Sequence, residues 1–207
     1  MKGKFVTFEG CEGVGKSRQL KLLEEYLKAE GVKCYLTREP GGTPVSEKIR
    51  DVILDGKNVD MTDECEALLY AAARVQLLKS EIAPRLNAGE LVVCDRYVDS
   101  SLAYQGYARG LGTEFIEKIN DYAFKNFMPD CTVFLNLSPK VAFLRKGGAD
   151  RGDRLESSGE EFHDKVYKGY LALAEKYPER FAVIDASGEK LETHLKIIAA
   201  LKEKGVL

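Results

Sequence analysis

The segment Gly10-Cys11-Glu12-Gly13-Val14-Gly15-Lys16-Ser17 constrains this chain more than any other. It has the spacing G-x-x-x-x-G-K-[ST]. It follows the apolar run Phe5 to Phe8 and opens a stretch in which Leu20, Leu23 and Leu27 recur with helical period. Glycines let the backbone curl until its N–H groups converge on phosphate oxygens, and the helix N-terminus adds partial positive charge at the same point. Lys16 can then reach the outer phosphates of a nucleotide, and Ser17 can ligate Mg2+. The loop specifies a nucleotide but not a reaction, because GTPases, motor ATPases and small-molecule kinases all carry it.

Apolar strands alternate with helical runs along the rest of the chain. Strands are predicted at Phe5 to Phe8, Val32 to Leu36, Leu91 to Cys94, Thr132 to Leu137 and Ala182 to Ile184. Helices are predicted from the loop to about Lys28, where Gly31 fits a stop, and at Val45 to Leu54, Glu64 to Leu86, Thr113 to Phe127, from Lys140, Phe162 to Lys176 and Leu191 to Lys202. Strands apolar on both faces imply a five-stranded parallel sheet with helices on both sides, an α/β fold of the P-loop NTPase type. Ligands bind such sheets at the carboxyl ends of the strands. A single domain is expected over residues 1–207, with a short, glycine-rich, mobile lid at about 146–159.

With 44% hydrophobic and 31% charged residues, a packed core is expected. A formal net charge of −2 argues against a nucleic-acid-coating or membrane-surface protein. No apolar run approaches the ~20 residues that span a bilayer, and the N-terminus lacks a signal-peptide stretch, so a cytoplasmic location is expected. Five dispersed cysteines without a C-x-x-C and two histidines imply neither a disulfide framework nor a zinc site.

The third strand ends in Asp95-Arg96, a carboxylate that can organise a metal beside a cation that can meet phosphate, while the N-K-x-D signature of GTPases is absent. From here a resemblance becomes specific. The segment Asp95-Arg96-Tyr97-Val98-Asp99-Ser100-Ser101-Leu102-Ala103-Tyr104-Gln105 resembles the signature of thymidylate kinases. So do Thr37-Arg38-Glu39-Pro40-Gly41-Gly42-Thr43, Leu68 to Gln76, Asp153-Arg154-Leu155-Glu156 and Ile184-Asp185-Ala186, in that family's order and across nearly the whole chain.

The resemblance implies transfer of the γ-phosphoryl group of ATP to dTMP with Mg2+, and a homodimer. Another deoxynucleotide or nucleoside kinase, or a non-catalytic nucleotide-binding module, is the alternative. A phosphate monoester acceptor is already largely dianionic near neutral pH, so such a site needs cations and positioning rather than a histidine base. The expected catalytic set is Lys16, Asp95, Arg96, Arg151 and Arg154, with Ser17 and Asp95 toward the metal, directly or through water. The residues from Gly10 to Ser17 would bind ATP, with Arg145 against the adenine.

By the same resemblance, Arg96, Arg38 and Arg50 would hold the acceptor phosphate. Glu12 would meet the sugar 3′-OH or a metal-bound water. Tyr70, where the family usually has Phe, would stack on thymine, and Arg74 would donate to a thymine carbonyl. Ser101 and Gln105 are further base-side residues, Tyr104 would crowd the 2′ position, and Glu9 would orient neighbouring groups. Cations are lacking in the variable part of the loop and present in the lid, as in the bacterial, lid-arginine style of the family. The family's motif also implies a cis Glu39–Pro40 peptide.

Overall fold

A computed structural model describes residues 3–145 and 159–207. Its sheet has five strands in the order β2-β3-β1-β4-β5, every neighbouring pair parallel. They are β1 (Phe5–Glu9), β2 (Cys34–Arg38), β3 (Leu91–Asp95), β4 (Cys131–Asn136) and β5 (Phe181–Asp185). The register Phe5↔Val92, Val6↔Val93 and Phe8↔Val133 sorts the side chains, because paired residues share a face and successive ones alternate. Val6, Phe8, Val93 and Val133 pack with Leu20, Leu23 and Leu27 of α1 (Lys16–Ala29), in a core that also takes in Ile197 and Leu201 of the C-terminal helix, Lys190–Glu203. Phe5, Val92 and Cys94 pack on the other side with Leu77, Leu78, Ile82 and Leu86. Helices therefore cover both faces, which is why the strands read as apolar throughout.

Capping residues fix two helices near the site. Thr43 accepts from the Ser46 N–H and precedes Pro44 at the start of α2 (Pro44–Leu54). Thr62 accepts from the Cys65 N–H at the start of α3 (Asp63–Leu77), whose first turn holds Asp63, Glu64 and Glu66.

The structure departs from the sequence reading in several places, among them the unpredicted helical stretch over residues 98–108. β2 lies two residues later than predicted. Gly31 (φ 70°) closes α1, and the Val32 N–H donates back to Leu27 O at 2.9 Å, so Val32 belongs to the cap. This shift seats Arg38 beside Asp95 at the carboxyl edge of the sheet.

The run from Glu64 to Leu86 is helical throughout but passes through a π-helical turn, Leu78–Ile82, before α4 (Ala83–Asn87). Pro84 has no N–H for the carbonyl four residues back, and the Ala83 N–H reaches back five residues to Leu78 O.

The run from Thr113 to Phe127 is two helices, α6 (Thr113–Ile119) and α7 (Asp121–Asn126), following α5 (Val98–Ser101) and a second π-helical segment, Leu102–Ala108. Asn120 makes the break. Its amide donates to Ile116 O at 2.9 Å and its carbonyl oxygen accepts from Arg74 at 2.6 Å, drawing the side chain into competition with the backbone.

The chain continues through α8 (Pro139–Arg145), α9 (Glu160–Lys176) and α10 (Lys190–Glu203). No helix among the described residues is long and apolar enough to cross a membrane.

Candidate functional site

All five strands are parallel, so Glu9, Arg38, Asp95, Asn136 and Asp185 share one edge of the sheet. A cavity of about 400 Å3 opens at that edge. The phosphate loop forms one wall. Gly10 (φ 143°) and Gly15 (φ 98°) adopt backbone conformations that L side chains rarely reach, and a Cβ on Gly10 would lie 3.0 Å from Leu135 O. Val14 and Cys11 turn into the core, while Glu12, Gly13, Gly15, Lys16 and Ser17 line the cavity. Burial pushes the Cys11 thiol up to about 11, against the pull of Lys16 and Arg96.

Lys16 folds back onto its own loop, its ammonium donating to Gly10 O at 3.1 Å and Cys11 O at 3.2 Å. Burial, reinforced by the charge of Arg96, lowers its pKa from 10.5 to about 8. An anion placed among these groups would reverse that shift.

Arg96 stands opposite. It is the one non-glycine residue with positive φ (66°) among the described residues, a conformation costing roughly 1–3 kcal/mol. The turn sends its side chain across to the loop. There Nη1 donates to Gly10 O at 3.2 Å, to Ser100 Oγ at 3.3 Å and to Tyr170 Oη at 3.3 Å, and Nη2 lies 3.6 Å from the Glu12 carboxylate. The guanidinium sits over the Tyr104 ring, 5.1 Å from its centroid. Glu9 supports this arrangement from beneath, accepting from the Tyr97 N–H (2.8 Å), Ser100 (2.6 Å) and Tyr170 (2.8 Å). Burial and the nearby Asp99 raise the Glu9 pKa from 4.5 to about 7.

Asp95 faces the cavity with a buried Oδ1 that has no hydrogen-bond partner. With Ser17 across the cavity it offers hard oxygen donors, and no cluster of three or more His, Cys, Asp or Glu capable of holding a metal lies among the described residues. That donor set suits a cation carried mainly by phosphates and water, which is how Mg2+ is usually held.

Most of the remaining expected residues also line the cavity. Arg38 lines it while paired with Glu47 at 2.9 Å, and Arg50 lines it while donating to Pro40 O at 2.9 Å. Tyr70, Ser101, Tyr104 and Gln105 complete the wall. The Glu39–Pro40 peptide is cis. Arg74 is placed differently from an open base reader, being fully buried and absent from the cavity wall. Its Nε and Nη2 both meet Glu39 Oε2, at 2.8 and 2.7 Å, and Nη1 donates to Ser101 Oγ and Asn120 Oδ1. Burial outweighs Arg74 and raises the Glu39 carboxyl from 4.5 to about 7. Arg145 is absent from the cavity wall and donates to Ala186 O at 2.7 Å and to Ser187 O, so α8 is tied to the loop after β5. Arg151, Arg154 and nearly all of the expected lid lie outside the described residues.

Sequence reasoning passed over Ser100 and Tyr170, which hold Arg96, and Glu66, which holds Gln105 at 2.8 Å. Glu66 had a legible signal, since it precedes Tyr70 by four residues on α3 and so shares its face. Tyr170 lies far away in sequence on α9 and had none.

Comparison with known proteins gives a consistent result. A family model described as "Thymidylate kinase" matches residues 8–197. A protein of Caldanaerobacter subterraneus subsp. tengcongensis named thymidylate kinase is 47% identical over 203 residues, covering 98% of this chain and 97% of its own. Proteins with the same name from Thermoanaerobacter sp. (strain X514) and Geobacillus sp. (strain WCH70) are each 45% identical, covering 98% and 99% of this chain and 99% and 98% of their own.

Proposed function

The chain belongs to the thymidylate kinase family, and from that premise we propose that its cavity transfers the γ-phosphoryl group of ATP to dTMP, giving dTDP and ADP, with the residue roles that follow. One observation carries the reading. Lys16 from the donor side and Arg96 from the acceptor side both hydrogen-bond the Gly10 carbonyl, at 3.1 and 3.2 Å, so the two cations adjoin where two phosphates must meet.

When ATP enters, the β- and γ-phosphate oxygens replace the loop carbonyls as partners of the Lys16 ammonium, and the loop N–H groups hold the rest of the triphosphate. Arg96, with Arg38 and Arg50, holds the dTMP phosphate. An oxygen of that phosphate attacks the γ-phosphorus in line, the bond from γ-phosphorus to the bridging oxygen breaks, and ADP leaves. The acceptor is already dianionic, so no side chain need remove a proton, and catalysis consists of positioning and charge.

A divalent cation, Mg2+, would be held by Ser17 and by Asp95, directly or through water, and supplies positive charge to the phosphate oxygens. Arg151 and Arg154 bring further cations to the transferring group. Arg145, pinned to Ala186 and Ser187, offers a flat face for adenine. Tyr70 stacks on thymine, Tyr104 faces the 2′ carbon, and Glu12 meets the 3′-OH. Arg74 supports the base pocket from behind, through Ser101. The protein acts in the cytoplasm as a homodimer, paired through the apolar groove between α2 and α3 where Val45 and Leu68 are about half exposed.

A coupled ADP-release assay with Mg-ATP, comparing dTMP, dUMP, dGMP and no acceptor, tests the reading. Turnover with dTMP well ahead of the others is expected. Equal turnover with all three acceptors would overturn the thymine pocket, and no acceptor-dependent turnover would overturn the kinase. Size-exclusion chromatography with light scattering, on the wild type and Leu68→Glu, tests the pairing.

A further inference from the structure

We propose that Glu66 is a positioning residue that locks the Gln105 amide so that its carbonyl oxygen faces the cavity, making the pocket select a pyrimidine that carries a proton on ring N3. The inference rests on the reading above that this cavity takes the base of the acceptor nucleotide.

The argument begins with the amide. A glutamine presents an acceptor on one side and a donor on the other, in nearly the same shape, so either orientation packs equally well. Something other than shape must choose. Gln105 lies in the π-helical segment Leu102–Ala108 and lines the same wall as Tyr70, Ser101 and Tyr104. Its Nε2 donates to Glu66 Oε1 at 2.8 Å. A carboxylate has only acceptor lone pairs, so the NH2 end of Gln105 must turn toward it and the carbonyl end away.

Glu66 is itself held. It is completely buried on α3, one turn before Tyr70, and its Oε2 accepts from Arg109 Nη2 at 3.2 Å. Arg109, in turn, lies 3.3 Å from Asp63 at the start of α3. Buried charge is retained at a cost and needs such pairing. Here the pair fixes a carboxylate that touches no reacting atom but sets the polarity of one that faces the base.

The chemical consequence is specific. Thymine and uracil present N3–H, a donor, between two carbonyls, and a fixed Gln105 oxygen accepts from it. Cytosine presents a bare N3, whose lone pair would face the same oxygen without a proton between them. A site that cannot rotate its amide leaves both lone pairs unsatisfied, which is the strong form of discrimination. The 5-methyl group plays no part, so the lock distinguishes thymine from cytosine but not from uracil.

The test uses the full chain with Mg-ATP and three acceptors, dTMP, dUMP and 5-methyl-dCMP, on the wild type, Glu66→Gln and Gln105→Ala. Glu66→Gln keeps the shape but can donate as well as accept, so the Gln105 amide is free to turn over. The expected result is a fall of about tenfold in the ratio of kcat/KM for dTMP to that for 5-methyl-dCMP, mostly through KM, the size of one hydrogen bond to a buried partner. The dTMP to dUMP ratio should stay at its wild-type value. A merely structural defect lowers all three substrates alike, and that outcome overturns the lock.

If Gln105→Ala narrows the ratio while Glu66→Gln leaves it unchanged, Gln105 reads the base but Glu66 does not set it, and the proposal fails by itself. If Gln105→Ala leaves the ratio unchanged, the base-side placement of Gln105 falls as well. Thermal melting comes first. Should Glu66→Gln not fold, Glu66→Asp, which keeps the charge but withdraws it by one methylene, is read in the same way.

Discussion

Removing the Glu39 carboxylate should unfold this protein more readily than removing any exposed charge. Glu39 and Arg74 have side chains that are 2% and 1% exposed, and two guanidinium nitrogens share one carboxylate oxygen at 2.8 and 2.7 Å. In Glu39→Ala, Arg74 keeps Ser101 Oγ and Asn120 Oδ1 as partners but loses its one bonded counter-charge among the described residues. Breaking a buried pair from one side typically costs about 3–5 kcal/mol, a large share of the ~5–15 kcal/mol that holds a domain folded. Urea denaturation at pH 8 is the assay, above the value of about 7 to which burial raises the Glu39 carboxyl, so that the pair is ionised. With a slope of roughly 2–3 kcal/mol/M, the midpoint should fall by about 1–2 M.

Glu39→Ala combined with Arg74→Met removes the stranded charge and should recover part of the loss. The remainder, about 1–3 kcal/mol, is the cost of leaving Ser101 and Asn120 without their donor. The pH dependence has a defined sign. The folded state holds the Glu39 proton more tightly than the unfolded chain, so this group favours folding below about pH 4.5 and loses that contribution as the pH rises through about 7. Glu39→Gln should flatten stability in that window. A midpoint shift in Glu39→Ala below about 0.3 M would refute the reasoning, because a pair that costs less than about 1 kcal/mol to break is hydrated rather than buried.

Burial and the charge of Arg96 lower the Lys16 pKa to about 8, so ATP binding at pH 8.5 should draw a substantial fraction of a proton from the buffer. Calorimetric titration in buffers of different ionisation enthalpy measures this, and zero uptake would contradict the Lys16 assignment. Cys11, buried and raised to about 11, should resist thiol reagents in the folded protein while the exposed Cys65 is labelled first, as peptide mapping after brief alkylation would reveal. Gly169 lets α9 approach the Leu102–Ala108 segment, where an added Cβ would lie 3.1 Å from Tyr107 Cβ and 3.2 Å from Ala103 Cα. Gly169→Ala should therefore destabilise by roughly 1–3 kcal/mol despite its better helix propensity, and a gain in melting temperature would contradict that packing.

The sheet was legible because its strands are apolar on both faces and its first turn carries a loop with one mechanical reading. Boundaries slipped where a side chain or a cap overrode local pattern, as at Val32, Pro84 and Asn120. The cavity wall was legible as far as the loop and the polar residues next to strand ends, since those carry recognisable chemistry. Arg74 shows the limit. Its place on α3 one turn after Tyr70 suggested a side chain open to the base, but sequence cannot say that Glu39, 35 positions earlier, will claim two of its nitrogens. The helical stretch over residues 98–108 that carries Tyr104 and Gln105 was not foreseen at all.

A site built to bring two polyanions together has reason to exclude carboxylates, yet several are buried around it. Glu39 meets Arg74, Glu66 meets Gln105 and Arg109, and Asp99 meets Arg180 through two bonds of 2.6 and 2.7 Å. Glu9 lies beneath Arg96 and acts on it through Ser100 and Tyr170. Each carboxylate lowers the positive potential that attracts phosphate, so the electrostatic cost is real. The compensation is geometric. Arginine loses much rotamer freedom when ordered, and an arginine or amide already held by a buried acceptor need not be ordered again when substrate arrives. Arg96 illustrates the balance. Gly10 O, Ser100 and Tyr170 fix one nitrogen, while the other points across the cavity toward Glu12 and the phosphate loop. Diffuse attraction is exchanged for fixed direction, the better exchange when the reaction requires only that two phosphates meet in line.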